Sequence, residues 1–494
     1  MPDDHGVFII YTGGTIGSLP KDRQDPASPL EPAPLEEIIK VLPNYNSRDK
    51  KIFINDQWVR LGTHTWEKPL DSSNITLSDW KEMARVVKAN YDEYEGFVIL
   101  HGTDTLAYTA SALSFMLENL NKPVIITGSQ LPIARTRSDA VQNVVTAIEI
   151  AAAKTLRGTV VPEVSVLFRD YLFRGCRTAK LSASSFSGFS SPNYPPLAEI
   201  GEHIKISNAM AARDSHHILR VEDRLEKQIA SIDIFPGMST DLLRSILCET
   251  GLRGVVLQTF GTGNAPSTPE FLAVIDEAVK KGTLIVDITQ CRSGEVELGL
   301  YDVSAGLLSR GVVSGMDMTP EAALTKMFVI LGGEPNADIA ADKLQLNLKG
   351  EQRQSIFNLH FPGGEFDDNT ETLVLKPLRP MVNDPIRFVP KMTQQGILRV
   401  MGLEPLDGRR GRLEFKIYID LPDAKESTPN EGISFLGQAS KKFVPEAGPE
   451  SVFLTVTDQV RAAIDNAHEN SLTIVNTGAP FKWSKLQIAC FVNV

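Results

Sequence analysis

Two threonines of this chain lie in glycine-containing loops where their hydroxyl groups could act as nucleophiles. Thr15 follows a Gly-Gly turn, and Thr103 follows Gly102. A threonine hydroxyl is a weak nucleophile that needs a base close to it. A lysine with a lowered pKa can serve as that base, particularly when an aspartate holds it, and Lys180 and Asp104 are the candidates for this pair. These residue types are therefore typical of nucleophilic catalysis by threonine.

Each of these features also has a purely structural interpretation. A Gly-Gly turn is commonly selected for its backbone conformation. Thr103 and Asp104 could cap the helix that starts there. A single lysine is in most cases a solvated charge. The order of the surrounding elements and motifs has to decide between the two interpretations.

Short apolar runs precede the polar loops. They lie at residues 7–11, 96–100, 123–127, 254–258 and 284–288, and helical patterns such as residues 141–152 alternate with them. Continuous apolar strands are typical of a parallel sheet that is buried on both faces. The alternation predicts doubly wound α/β domains, in which ligands bind beyond the carboxyl ends of the strands. Both threonine loops would lie at that end.

Helix boundaries can also be predicted. Ser267 and Glu270 have the spacing of a capping box, and Gly282 would end that helix. Thr319 followed by Pro320 indicates a further helix start.

The chain is long enough for several domains. We expect an N-terminal α/β domain at residues 1–203, a linker at 204–229 that contains the solvated pair His216-His217, and a smaller α/β domain at 230–376. Alternating patterns after residue 380 predict a mainly β, sandwich-like domain at 380–494, with one helix near 459–468. This domain is expected to serve packing or oligomerisation, with binding of a protein or ligand as the alternative.

Composition narrows the partners. The formal net charge of −11 argues against nucleic acid as a partner, because phosphate binding requires a basic surface. The four cysteines are scattered, as in a reducing compartment, and the N-terminal apolar run is too short for a signal peptide or a membrane span. We expect a cytoplasmic protein that binds no membrane.

The ordered motifs resemble one family. Residues 11–17 and 101–106 look like the paired signatures of bacterial-type L-asparaginases. Further segments resemble its cytoplasmic, type I branch, namely residues 71–73, 127–132, 174–180, 191–197, 261–266 and 289–291. The resemblance extends over roughly residues 1–370 and implies hydrolysis of L-asparagine, with L-glutamine as a weak second substrate.

The resemblance also implies roles for individual residues. Thr15 would attack the amide carbon and form an acyl-enzyme, although which threonine attacks first is open, and Thr103, Lys180 and Asp104 would handle protons. Ser72 would hold the substrate α-carboxylate, and Asp104 its α-ammonium group. The complete substrate-binding set would be Gly14, Asp71, Ser72, Ser73, Gly102 and Asn264, the last leaning toward a neighbouring protomer. The family uses no metal or cofactor and forms homodimers or homotetramers.

The chain departs from the family pattern at two places. The loop after the first motif, residues 18–34, lacks the usual tyrosine, and Tyr45 comes only later. The allosteric asparagine site of some type I enzymes uses an arginine and a threonine, where this chain has Gln258 and Ala179, although Cys291 is retained. We therefore expect asparagine allostery to be weak or absent.

Two other functions remain as alternatives. One is the asparaginase-like, ammonia-releasing component of a tRNA-dependent amidotransferase. The acidic composition and a first motif near residue 1 argue against it, because that component carries an additional N-terminal domain. The other is a non-catalytic binding or regulatory protein built on the asparaginase frame. The sequence does not fix the preference for asparagine over glutamine, since one methylene contributes only about 1–3 kcal/mol in a pocket.

Overall fold

The computed structural model describes residues 6–22, 24–25, 27–155, 158–159, 161–207, 218–298, 306–378, 393–407, 411–432, 434–443, 449–463 and 471–493. The predicted pair His216-His217 and most of the predicted boundary at 376–385 lie outside these ranges. The chain forms two compact units. The first comprises Met1–Lys227, Met318–Gly333 and Leu348–Glu351, and the second comprises Gln228–Asp317, Glu334–Asn347 and Gln352–Val494.

The helices fall at or near the predicted positions. They are α1 (Leu35–Lys40), α2 (Leu77–Ala89), α3 (Leu106–Met116), α4 (Ala140–Ala152), α5 (Thr240–Glu249), α6 (Pro269–Lys280), α7 (Pro320–Gly333), α8 (Ala337–Leu344) and α9 (Thr457–Ala463).

Three helix boundaries can be compared with the sequence. The hydroxyl of Thr319 accepts a hydrogen bond from the amide of Ala322, which confirms the predicted start of α7. Gly282 has a φ of 94° directly after α6, as predicted for its end. The predicted start of α6 was wrong by one residue, because the side chain of Thr268, and not of Ser267, accepts from the amide of Phe271.

The first unit is built on a ten-stranded sheet. Its strands and the short ribbons beside it are β1 (Gly6–Gly13), β2 (Ser18–Pro20), β3 (Leu30–Pro32), β4 (Tyr45–Asn46), β5 (Lys51–Ile54), β6 (Gln57–Leu70), β7 (Gly96–Leu100), β8 (Leu117–Glu118), β9 (Val124–Thr127), β10 (Lys154–Thr155), β11 (Gly158–Thr159), β12 (Val164–Phe168), β13 (Tyr171–Arg174), β14 (Ala179–Lys180), β15 (Phe189–Ser190), β16 (Ala198–Ile200), β17 (Ile204–Ile206) and β18 (Arg220–Val221). The order in the sheet is β17-β16-β13-β12-β9-β7-β1-β6-β5-β4.

Helices cover both faces of this sheet. One apolar cluster joins the strands to α1 and α4, and a second joins them to α2 and α3. The doubly wound prediction is therefore confirmed for this unit. The strands β6, β1, β7, β9 and β12 run parallel to one another, so the loops that follow the first four meet at one edge of the sheet.

The second unit starts with a four-stranded parallel sheet in the order β19-β20-β21-β22. These strands are β19 (Ile229–Asp233), β20 (Gly254–Thr259), β21 (Leu284–Thr289) and β22 (Val313–Ser314). Helices α5 and α6 pack on it in one apolar cluster. The segment with α7, which the sequence analysis placed in this domain, groups with the first unit, where α7 packs on α3.

The rest of the second unit consists mainly of strands. They are β23 (Gln354–Phe361), β24 (Gly364–Phe366), β25 (Thr372–Leu375), β26 (Thr393–Pro405), β27 (Gly411–Ile419), β28 (Phe435–Phe443), β29 (Glu450–Thr455), β30 (Leu472–Asn476), β31 (Phe481–Trp483) and β32 (Lys485–Asn493). They form a six-stranded and a four-stranded sheet that share one apolar cluster. Because β23 pairs with β32 and β25 pairs with β30, strand pairing favours a boundary near residue 353 over one at 376–380.

Candidate active site

The Thr15 loop is shaped by two glycines at the end of β1. Gly13 and Gly14 have φ values of 122° and 88°, which side-chain-bearing residues rarely adopt. The amide of Gly14 donates to the carbonyl of Leu70 at 3.0 Å, which ties this turn to the end of β6. Thr15 then begins a short 3-10 helix and is exposed. The hydroxyl of Thr15 is thus presented to solvent on a fixed turn.

The loop after β6 presents a buried serine. The carboxylate of Asp71 accepts hydrogen bonds from the amide and the hydroxyl of Ser73 at 2.9 and 2.8 Å, and these bonds lower the pKa of Asp71. Asp71 and Ser73 therefore shape the turn and are themselves exposed. Ser72 is only 4% exposed, and its carbonyl accepts from the hydroxyl of Thr105 at 2.7 Å. Of the three residues, only Ser72 points into the protein.

Gly14, Ser72 and Gly102 meet at one point. A Cβ on Gly14 would overlap the backbone of Gly102, and a Cβ on Gly102 would lie 2.7 Å from the Cβ of Ser72. The loops after β1, β6 and β7 are therefore in direct contact only because two of these residues have no side chain. This contact brings together the loops that carry Thr15 and Thr103.

Thr103, Asp104 and Lys180 form a hydrogen-bonded group. The ammonium of Lys180 donates to Oγ1 of Thr103 at 3.0 Å and to Oδ1 of Asp104 at 2.6 Å. The side chain of Lys180 is 19% exposed and that of Asp104 is 65% exposed. An ion pair this open adds little stability, so its value lies in the orientation of the two groups. The three residues that the sequence assigned to proton handling are therefore in direct contact.

The strand that carries Lys180 is anchored by buried charges. The guanidinium of Arg174 donates to the carboxylate of Glu163 at 2.7 Å, and that of Arg177 donates to the carbonyl of Gly350 at 2.7 Å. The sequence analysis assigned neither arginine a role of its own, because both read as ordinary charges within the motif. Their positions fix the short 3-10 helix, Gly175–Arg177, that leads into Lys180.

A buried histidine holds the start of the Thr103 loop. His101 is fully buried, and its Nε2 lies 2.9 Å from the hydroxyl of Thr109, which in turn accepts from the indole N–H of Trp80 at 3.0 Å. Since that hydroxyl uses its own proton toward Nε2, the proton of His101 lies on Nδ1 and is donated to the carbonyl of Gly102 at 2.6 Å. Burial lowers the pKa of His101 to about 4, so the ring is neutral. The sequence analysis missed this role.

A second unexpected group lies below Thr15. The hydroxyl of Tyr11 is buried without a hydrogen-bond partner among the described residues, and burial raises its pKa to about 12. A Cβ on Gly17 would collide with this hydroxyl, so the ring lies directly under the 3-10 helix of the Thr15 loop. The missing loop tyrosine is not replaced by Tyr45, which lies on the edge strand β4 and packs against the apolar cluster.

Asn264 belongs to the second unit. Its backbone closes a tight turn with Phe260, through bonds of 2.8 and 2.9 Å, and its side-chain Oδ1 is buried without a partner among the described residues. Its predicted role in substrate binding stays a prediction.

Within the described ranges, no group of three or more His, Cys, Asp or Glu side chains could hold a metal ion. No helix in those ranges is both long and apolar enough to cross a membrane.

Comparison with known proteins gives consistent matches. Residues 6–212 match the family model described as "Asparaginase, N-terminal", and residues 228–341 match "Glutaminase/Asparaginase C-terminal domain". L-asparaginase 1 of Escherichia coli K12 is 40% identical over 345 residues, which cover 70% of this chain and 97% of that protein. The asparaginase-like component of the glutamyl-tRNA(Gln) amidotransferase of Methanothermobacter thermautotrophicus is 32% identical over 370 residues, or 74% of this chain and 80% of that protein.

Among solved structures, L-asparaginase I of Vibrio cholerae superposes with a TM-score of 0.62 at 39% identity. The match covers 70% of this chain and 99% of that one.

Proposed function

The chain belongs to the asparaginase family, and we propose that it hydrolyses the side-chain amide of L-asparagine to L-aspartate and ammonia through a threonine acyl-enzyme. The observation that carries this proposal is the contact of Lys180 with both Thr103 and Asp104, beside the loop of Thr15. The named asparaginases among the relatives support the choice of substrate.

In the first half of the reaction, the hydroxyl of Thr15 attacks the amide carbon. Its proton leaves through Thr103 and Lys180, the carbon–nitrogen bond breaks, and the protonated amine departs as ammonia. A β-aspartyl ester of Thr15 remains. In the second half, water cleaves this ester, releases L-aspartate and restores the hydroxyl. Backbone amides near Thr15 and Thr103 would stabilise the oxyanion in both halves.

The proton-handling group is supported by its geometry. The ammonium of Lys180 can act as a base only after it has given up a proton, and Asp104 at 2.6 Å is positioned to orient that exchange. Ser72 would bind the substrate α-carboxylate, and Asp104 would face the α-ammonium group. Gly14 and Gly102 contribute by allowing the loops to approach, whereas Asp71 and Ser73 would act by holding Ser72 in place.

Ammonia release from L-asparagine and L-glutamine tests the proposal. We expect Thr15→Ala, Thr103→Val and Lys180→Met each to reduce asparagine turnover at least ~100-fold, because each removes a reacting group or proton carrier. Thr63→Ala, an exposed threonine on β6, is the matched control and should retain parental turnover. Mass spectrometry of quenched enzyme should find the aspartyl ester on Thr15. An ester on Thr103 would reverse the assignment of the nucleophile.

A second candidate function comes from the amidotransferase relative. Similarity to that protein would fit a chain that releases ammonia for a partner enzyme. Turnover by the isolated chain, at a rate that does not change when charged tRNA is added, would exclude this function. No turnover in any condition would favour a regulatory protein on the same frame.

Assembly and location belong to the same proposal. Homodimers or homotetramers with Asn264 near a neighbouring site are expected from the family resemblance, as is a cytoplasmic location. Light scattering gives the oligomer size. Mixing inactive Thr15→Ala chains with Asn264→Ala chains should restore part of the turnover if sites are shared between protomers.

A further inference from the structure

A cavity in the second unit lies between the four-stranded parallel sheet region and the six-stranded sheet of the β part. Its volume is about 350 Å³, within the range of small-molecule sites. The cavity wall from the β part comes from neighbouring strands, β26 and β32, whose residues Arg399 and Gln487 pair in register and face it. Nothing in the proposed hydrolysis uses these residues.

Arg399 is the unusual feature of this wall. Its side chain is 5% exposed, and its Nε makes no hydrogen bond to any described residue. No carboxylate of the described chain pairs with it, and burial lowers its pKa to about 10, which still leaves it charged at neutral pH. A buried charge without a counter-charge is strongly unfavourable, so such groups are normally paired.

The other charges of the cavity leave a net positive wall. Arg310 donates to the carbonyl of Gly306 and the hydroxyl of Ser309, at 2.9 and 3.0 Å, and neither of these groups is charged. The aspartates that line the cavity already have basic partners, because Asp276 pairs with Lys280 at 2.6 Å, Asp342 with His360 at 2.9 Å and Asp338 with Lys485 at 3.9 Å. The two arginines therefore carry the uncompensated charge.

Arg399 also lines a second cavity, of about 480 Å³, on its other side. That wall includes Glu295, Glu297 and several apolar side chains, which would disfavour an anion. The first cavity, with Arg310 and Lys485, is therefore the side on which an anion would be stabilised.

We propose that the 350 Å³ cavity is a ligand site for a small oxyanion, either a carboxylate or a phosphate, which Arg399 binds through its guanidinium, with Arg310 and Gln487 beside it. The planar guanidinium matches both kinds of anion with two parallel hydrogen bonds. The site gives the β part a binding role that is separate from the threonine loops of the first unit. The bound anion would supply the counter-charge that Arg399 lacks.

Thermal unfolding of the full chain tests this site. Sodium phosphate and sodium succinate are compared with sodium chloride at equal ionic strength, for the parent, Arg399→Met and Arg399→Lys. We expect one or both anions to raise the Tm of the parent by several degrees, since a ligand that binds only the folded state stabilises it. The anion that acts distinguishes a phosphate from a carboxylate ligand. Arg399→Lys should show a smaller rise, because it keeps the charge and loses the fork.

Arg399→Met should be at least as stable as the parent in sodium chloride, because it removes an unpaired buried charge, and it should lose the rise with the anions. Arg412→Met, an exposed arginine of β27 whose side chain is 72% accessible, is the matched control and should keep that rise. Equal rises in the parent and in Arg399→Met, or no rise in the parent with either anion, would overturn the proposal. Asparagine turnover is not needed for any of these readings.

Discussion

Gly14 and Gly102 lie against each other across two loops, with 3.3 Å between the Cα of Gly14 and the position that a Cβ on Gly102 would occupy. The loop of Thr15 and the loop of Thr103 come from strands that are neighbours in the sheet. Their threonines are brought together only if the backbones at these two positions touch. The distance between the proposed nucleophile and the proposed proton carrier therefore depends on two missing side chains.

The first prediction concerns Gly102→Ala. The added methyl group would meet Ser72 and Gly14, so we expect turnover to fall at least ~100-fold and unfolding to become about 1–3 kcal/mol easier. Gly201→Ala is the control, because the nearest atom to its new methyl would be 3.8 Å away. Steady-state kinetics and urea unfolding measure both effects. Parental turnover in Gly102→Ala would show that the approach of the loops is not required.

The second prediction concerns pH and His101. The pKa of His101 is about 4 in the folded protein, against an ordinary value of 6.5, so the unfolded chain binds more protons between these pH values. Stability should therefore fall as the pH is lowered from 6.5 to 4, by up to roughly 3 kcal/mol at about 1.4 kcal/mol per pKa unit.

Urea midpoints measured at several pH values test this dependence. His101→Gln should give a flatter profile than the parent, because glutamine does not titrate. His203→Gln, which changes an exposed histidine, should follow the parental profile. Equal slopes for His101→Gln and the parent would mean that other groups cause the acid sensitivity.

The third prediction concerns the ion pair of Lys326 and Glu351. Both side chains are fully buried, and Nζ lies 2.6 Å from Oε1. The same carboxylate accepts from the amides of Leu348 and Lys349 at 3.0 and 2.7 Å, so it is tied to the segment that also holds Arg177. Lys326→Met would leave this carboxylate without its cation and should cost about 3–5 kcal/mol of unfolding free energy.

The comparison is a double-mutant cycle. Lys326→Met combined with Glu351→Gln should cost less than the sum of the two single changes. Lys280→Met breaks an ion pair in which the lysine side chain is 75% exposed, and it should cost less than about 1 kcal/mol. Additive costs for the buried pair would indicate that the two charges do not stabilise each other.

The fourth prediction is that the rate depends on asparagine concentration along a hyperbola. Where an allosteric arginine would lie, the chain has Gln258, whose side-chain amide donates to the hydroxyl of Ser231 at 3.2 Å. Ala179 offers no hydroxyl. Initial rates over a wide range of asparagine concentrations should give a Hill coefficient near one, and Gln258→Arg with Ala179→Thr should raise it. A sigmoidal curve for the parent would contradict the prediction.

The sequence by itself determined the order of strands, loops and helices in the α/β regions and the residues of the proposed site. Apolar runs fix which segments are buried strands, and glycines fix where the chain turns, so the ends of β1 and β7 could be located with Thr15 and Thr103 just after them. Lys180 was found through the family motif. Each of these inferences depends on residues that are close together in the chain, or on a motif that includes them.

Only the tertiary structure decided which distant residues meet. The contacts of His101 with Trp80 through Thr109, the buried pair of Lys326 and Glu351, and the unpaired Arg399 join or isolate groups far apart in sequence. The same holds for β23, which the sequence analysis assigned to the α/β domain and which pairs with β32 instead. A local pattern encodes backbone preference and the buried face, but the partner that meets that face is selected only when the whole chain packs.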